Sequence, residues 1–267
     1  MQRIGIIFFI IVSFVLVGEV KAEKNMTAQK VIDSSYDLYR RHIKLEKEKV
    51  DIEVKYEAGR TVEKKLIRWI QYNEDRQDKV YMEFIAPPMD DGLKLLVNRQ
   101  VEENDLMWLK LPSLDRPRRI SGQDEGNYFA ETDLTYRDTA QLVGEAVDNY
   151  HYSFVGTERC SVPGEKEAEW IIKAEPKESI TAIYGHRLLF VTKDLVVVAV
   201  KYFHFNGEVI KVQVNNKVVQ DENKRWRADL VVIKNRYNSR TTEIKVKKRD
   251  YNNAAQAPSF SKRDLRR

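Results

Sequence analysis

The chain has 267 residues, with 46 Lys and Arg against 41 Asp and Glu and a formal charge of +5; the two signs alternate along most segments, which argues against a nucleic-acid groove. Its single cysteine, Cys160, excludes an internal disulfide, so the fold must rest on a packed core. Charged residues make up 33% of the chain against about 25% in an average domain, as a well-solvated surface requires.

At the N-terminus Arg3 precedes an apolar run of 14 residues, 4–17, broken only by Gly5 and Ser13. This is the pattern of a secretory signal, and it is shorter than the ~20 residues a bilayer-spanning helix needs. Val20 and Ala22 supply small residues at the −3 and −1 positions, so residues 1–22 are expected to be a signal peptide cleaved after Ala22. No cysteine stands there to accept a lipid. Later apolar stretches such as 188–200 are interrupted by Thr192, Lys193 and Asp194.

Thr27 is a candidate N-cap for a helix of roughly 15 to 18 residues in which Ile32, Tyr36, Tyr39 and Ile43 form one apolar face. A helix of that length must pack on something larger. From about residue 45 the period changes to two: Val50, Ile52, Val54 and Tyr56 alternate with charged residues, and Ala58-Gly59 supplies a turn. Strand patterns follow at 62–72, 79–85, 93–97, 106–111, 151–156, 169–174, 187–192, 196–205, 209–219, 225–234 and 241–248, separated by turn signals such as Asn206-Gly207. About ten or eleven antiparallel strands are expected, in one domain over residues 23–251. The polar tail 252–267 reads as disordered.

The sequence carries little that catalysis would need. His42, His151, His186 and His204 stand far apart, and none has a second ligand at metal-binding spacing. There is no phosphate loop, no Gly-x-Ser-x-Gly elbow and no Cys/His pair. The pairs Asp90-Asp91 and Glu102-Glu103 sit in turn-like contexts, as solvated carboxylates do. No enzyme, cofactor or metal is expected.

The distinctive segment is 84–138. It contains Phe84-Ile85-Ala86-Pro87-Pro88-Met89-Asp90-Asp91-Gly92, then Met107-Trp108-Leu109-Lys110-Leu111-Pro112, Arg116-Pro117-Arg118-Arg119, and Phe129-Ala130-Glu131-Thr132-Asp133-Leu134-Thr135-Tyr136-Arg137-Asp138. With Tyr184-Gly185, Lys193-Asp194, Phe205-Asn206-Gly207, Trp226 and Thr241-Thr242 in order behind it, this string resembles the outer-membrane lipoprotein-sorting protein family, the LolA-like carriers. Glu131, where the family often has Gly, and Lys94, where a small residue is common, depart from the pattern.

The resemblance implies a mainly β fold: an incomplete, unclosed antiparallel barrel with helices over its concave face and an apolar cavity between. It implies a periplasmic, non-enzymatic carrier of a lipid or lipoprotein acyl chain, working between an inner-membrane transporter and an outer-membrane acceptor. A chain of ~16 carbons exposes methylenes worth about 0.8 kcal/mol each, roughly 12 kcal/mol that a carrier must offset. Candidate lining residues are Trp69, Val80, Met82, Phe84, Leu95, Met107, Leu109, Leu111, Trp170 and Val198, each of which would serve equally in a packed core. Arg116, Arg118 and Arg119 are candidates for contact with a phosphate or an acidic partner. The rival expectation is an accessory module of an envelope transporter complex, with the same half-barrel and a filled core.

Overall fold

The computed structural model describes residues 26–266 apart from 58, 157–159, 163–165, 222 and 224. The expected signal peptide and its cleavage site lie outside the described residues, as does the Cys160 side chain. Thr27 caps α1 (Ala28–Arg40), its hydroxyl accepting from the Lys30 amide at 3.2 Å. The helix is 13 residues long, shorter than the apolar spacing predicted, because Arg41 leaves the helical region and His42 turns to φ +59°. Ile43 therefore reaches the core from a turn.

The strands are β1 (Leu45–Lys55), β2 (Thr61–Gln71), β3 (Lys79–Ala86), β4 (Lys94–Asn98), β5 (Leu106–Lys110) and β6 (Arg118–Ile120). A six-residue helix, α2 (Tyr136–Gln141), then precedes β7 (Tyr150–Gly156), the short hairpin β8 (Cys160–Val162) and β9 (Lys166–Ala168), and β10 (Trp170–Pro176). The chain continues through β11 (His186–Val191), β12 (Val197–Phe203), β13 (Val209–Gln220), β14 (Trp226–Asn235) and β15 (Thr241–Tyr251).

Thirteen of these form one antiparallel sheet in the order β6-β5-β4-β3-β2-β1-β15-β14-β13-β12-β11-β10-β7, with β8 and β9 apart. The first and last strands meet in the middle, Val54 facing Thr242. The sheet curls without closing. Loops from its two wings touch, the Glu102 amide donating to Asn149 Oδ1 at 2.8 Å and Asn104 Nδ2 to Thr181 Oγ1 at 3.1 Å, while β6 and β7 are the two edge strands of the sheet.

Alternation divides the side chains between two faces. Inward are Val50, Ile52, Leu66, Val80, Met82, Phe84, Leu95, Met107 and Leu109, which pack under Phe129, Leu134, Tyr136, Ala140 and Val143 from the α2 segment. On the other wing α1 inserts Val31, Ile32 and Tyr36 against Ile172, Leu189, Val200 and Tyr202. Trp69, Tyr81, Leu96 and Trp108 face outward.

The tail corrects the expectation of disorder. Residues 252–266 run back over this outer aromatic patch and bury Phe260 (5% exposed) and Leu265 (1%). Asp264 Oδ2 fixes the turn by accepting from the Ser261 amide and Ser259 hydroxyl. Two isolated apolar residues in a polar segment carry no periodicity; what holds them is the uncovered face of β2–β5.

Candidate functional site

Between α1 and the inner face of β11–β15 lies a hollow of about 130 Å³. Its apolar wall comes from Ile32, Leu38 and Tyr39 of α1 and from Leu189, Val200, Val231, Ile244 and Val246 of the sheet, together with Trp226 and Ala228. These residues meet because α1 presents one face every three to four residues to strands that alternate inward every two.

The residues named from sequence lie elsewhere. Val80, Met82, Phe84, Leu95, Met107 and Leu109 are buried against one another, with Leu111 packed alongside, and the space above them is filled by the Phe129 ring, 5.6 Å from that of Phe84. Trp69 faces outward under the tail. Val198 sits in a small cluster with Phe190 and Ala199, and Trp170 packs at the edge of the α1 core. None of the ten lines the hollow: alternation identifies an inward face, and a lid of aromatic side chains decides whether space remains there. Arg116, Arg118 and Arg119 are exposed, the latter two on the edge strand β6.

The hollow is bordered by buried charges that alternation had already placed inward. On β1, Glu46 and Glu48 share the phase of Val50 and Ile52; on β2, Arg68 shares that of Leu66 and Ile70. Charge at an apolar phase was the signal sequence reasoning missed. Glu48 stands opposite Arg68 on one side and Arg249 on the other, accepting from Arg68 Nε at 2.6 Å and Arg249 Nε at 2.8 Å. Burial would raise its carboxyl, but the two guanidiniums outweigh it and hold Glu48 below the usual range. Glu46 is raised: burial dominates, Arg227 opposes it and the Glu48 charge adds to it.

The α2 segment is the fixed part of the cover. Thr135 and Asp138 form a capping box, the Tyr184 hydroxyl donates to Asp138 at 2.9 Å, and Lys211 Nζ donates to the Asp133 carbonyl at 2.9 Å. Thr242 donates to Asp133 Oδ2 at 2.7 Å, Arg99 to the Gly144 carbonyl at 2.5 Å and Arg187 to Glu145 at 2.6 Å. Helix α1 has fewer polar anchors: its apolar face, Tyr36 and Arg40 on the buried Asp78, and the partly exposed Arg76 at 3.1 Å from both Asp33 and Asp148. Among the described residues no group of three His, Cys, Asp or Glu is placed to hold a metal, and no helix is long and apolar enough to cross a membrane.

Residues 76–267 match a family described as uncharacterized protein-like. No curated protein matches the sequence. Among solved structures, the chain is similar to an outer membrane lipoprotein-sorting protein domain from Vibrio parahaemolyticus, at 17% identity and a TM-score of 0.81 over 90% of this chain and 98% of that one. It is also similar to a DUF1329 family protein from Desulfovibrio piger, at 21% identity and 0.75 over 88% and 98%. A LolA superfamily protein from Nitrosomonas europaea matches at 14% and 0.67 over 89% and 98%. At such identities the likeness is one of fold.

Proposed function

The chain belongs to the uncharacterized protein-like family matched by residues 76–267 and has the fold of the outer-membrane lipoprotein-sorting, LolA-like proteins, and from that premise we propose that it is an exported, periplasmic, non-enzymatic carrier of a lipid or lipoprotein acyl chain. The observation that carries this reading is the apolar-walled hollow under α1. At about 130 Å³ it is below the ~300–1,000 Å³ of ordinary ligand pockets, so uptake of an acyl chain requires the cover to move. We assign that motion to α1 because it has fewer anchors: its displacement breaks the contacts of one buried carboxylate, Asp78, at about 3–5 kcal/mol, and partly exposed Arg76 pairs worth about 0–1 kcal/mol each, whereas lifting α2 would break several buried pairs at about 3–5 kcal/mol apiece. The cargo would pass from an inner-membrane transporter to an outer-membrane acceptor, with the exposed Arg116, Arg118 and Arg119 offering phosphate or acidic-partner contacts.

Native mass spectrometry and lipid extraction of the protein purified from its own envelope test the proposal. A co-purifying acyl lipid supports it; a clean apo protein that also fails to bind fluorescent fatty acids overturns it. The small volume of the hollow favours a second reading, an accessory module of an envelope transporter complex, and that same apo result together with stable co-purification of a transporter would establish it.

A further inference from the structure

Three guanidiniums line the hollow: Arg68, Arg187 and Arg249. Arg187 commits both Nη groups to Gln141 and Glu145, and Arg249 commits both to Asp229 and the Ala228 carbonyl. Arg68 differs. Its Nε and Nη2 meet Glu48, while its Nη1, from which no described residue accepts, keeps contact with solvent although the residue as a whole is only 6% exposed. Beside it stands Tyr39, whose hydroxyl has no hydrogen-bond partner among the described residues and whose ring lies 3.5 Å from the Arg227 guanidinium.

The charge around this corner is unbalanced. Among the buried groups Arg68, Arg227 and Arg249 face two carboxylates, Glu46 and Glu48, and the third acid, Asp229, meets Arg249 from a position that is 37% exposed. A buried cation with a spare donor is stabilised by an anion that brings an acceptor with it. The wall is mixed, with Ile32, Leu38, Val200 and Val246 apolar, Gln213 polar and the Glu145 carboxylate held by Arg187, and the neighbouring phenol can donate a second bond.

We propose that the hollow takes the anionic head of an amphiphile, a carboxylate or phosphate monoester on an alkyl chain, held by Arg68 Nη1 and the Tyr39 hydroxyl with the chain leaving along the apolar wall under α1. This rests on the carrier reading and narrows it: the ligand is chosen by its charge as well as its tail. An acyl chain that ends in an uncharged amide or ester would offer the Arg68 donor only a neutral carbonyl oxygen, without the charge that strengthens the bond.

Isothermal titration of the full chain with dodecanoate and dodecyl phosphate below their micellar concentrations, and with dodecanol below its solubility limit, tests this. The charged chains are expected to bind at least about tenfold more tightly than the alcohol, as one charge-assisted hydrogen bond allows, and the better of the two identifies the head as carboxylate or phosphate. Arg68→Gln is expected to abolish the preference and Tyr39→Phe to reduce it severalfold; should Arg68→Gln fail to fold, Tyr39→Phe carries the test alone. Equal binding of all three chains, or a preference that survives these substitutions, overturns the inference and leaves the carrier reading standing. Failure of all three to bind overturns both.

Discussion

Lys211 places its ammonium 2.5 Å from Asp138 Oδ2 with both side chains 1% exposed, so the strand β13 and the cap of α2 are joined through a charge pair that water does not reach. Asp138 also accepts the Tyr184 hydroxyl and closes the capping box with Thr135. Removing one partner strands the other. Asp138→Asn or Lys211→Met should each cost about 3–5 kcal/mol, whereas the double variant, which removes both charges, should recover much of the loss. Urea unfolding of the four proteins measures the coupling, and additive losses would refute it.

Two buried glutamates bend the pH dependence of stability in opposite directions. Burial would raise Glu145, but Arg187 beside it, with help from the Tyr152 hydroxyl, holds it below its ordinary value of 4.5. Its contribution is therefore present above the unfolded value and lost as pH falls through the depressed folded value. Glu46 is raised above 4.5 by burial, so its contribution is complete below the unfolded value and lost as pH rises through the folded one. Glu145→Gln should destabilise the protein at neutral pH, by an amount that shrinks in acid. Glu46→Gln should flatten the decline of stability on the alkaline side of 4.5. Melting temperatures across a pH series decide both, and parallel curves for either variant and the parent would refute the assignment.

The strands were readable because their side chains alternate over five residues or more, as in Val50, Ile52 and Val54 or Val80, Met82 and Phe84. The three-residue strands β6, β8 and β9 offer too little chain for a period to show, and the sheet has thirteen strands where about ten or eleven were expected. Helix α2 is also too short for a 3.6-residue pattern, although Thr135 and Asp138 stand at capping-box spacing. The hollow was the harder feature. The expected lining at Met82, Leu95 and Met107 is inward and apolar, as read, but Phe129 and Tyr136 come from a segment without strand or helix periodicity and fill the space over it. Open volume survives where Arg68, Glu48 and Arg249 interrupt the apolar phase, since charges held in pairs cannot collapse into a gap as aliphatic side chains do.

The tail makes a prediction of its own. Phe260 and Leu265 cover Trp69 and Trp108, and Lys262 Nζ lies 4.5 Å from the Trp108 ring. Phe260→Ala should cost about 3–5 kcal/mol and Leu265→Ala about 2–5 kcal/mol, with red-shifted tryptophan emission as the two indoles meet water. Unchanged melting and emission in both variants would show that the outer face does not depend on its cover.

Core and lining can be told apart by what each substitution damages. Met82 is 3% exposed in a filled region, so Met82→Ala should lower stability by about 2–5 kcal/mol and leave fatty-acid affinity within twofold. Ala228 borders the hollow. Ala228→Phe would place a ring in that space, at an overpacking cost of about 1–3 kcal/mol, and should abolish fatty-acid uptake while circular dichroism shows the sheet intact. The logic is one of volume: a cavity of about 130 Å³ is on the scale that holds a benzene-sized guest, so one added ring removes the foothold an alkyl chain needs before α1 can be displaced. If Met82→Ala weakens binding and Ala228→Phe does not, the acyl chain enters beneath α2, and the wing of β3–β5 is the site.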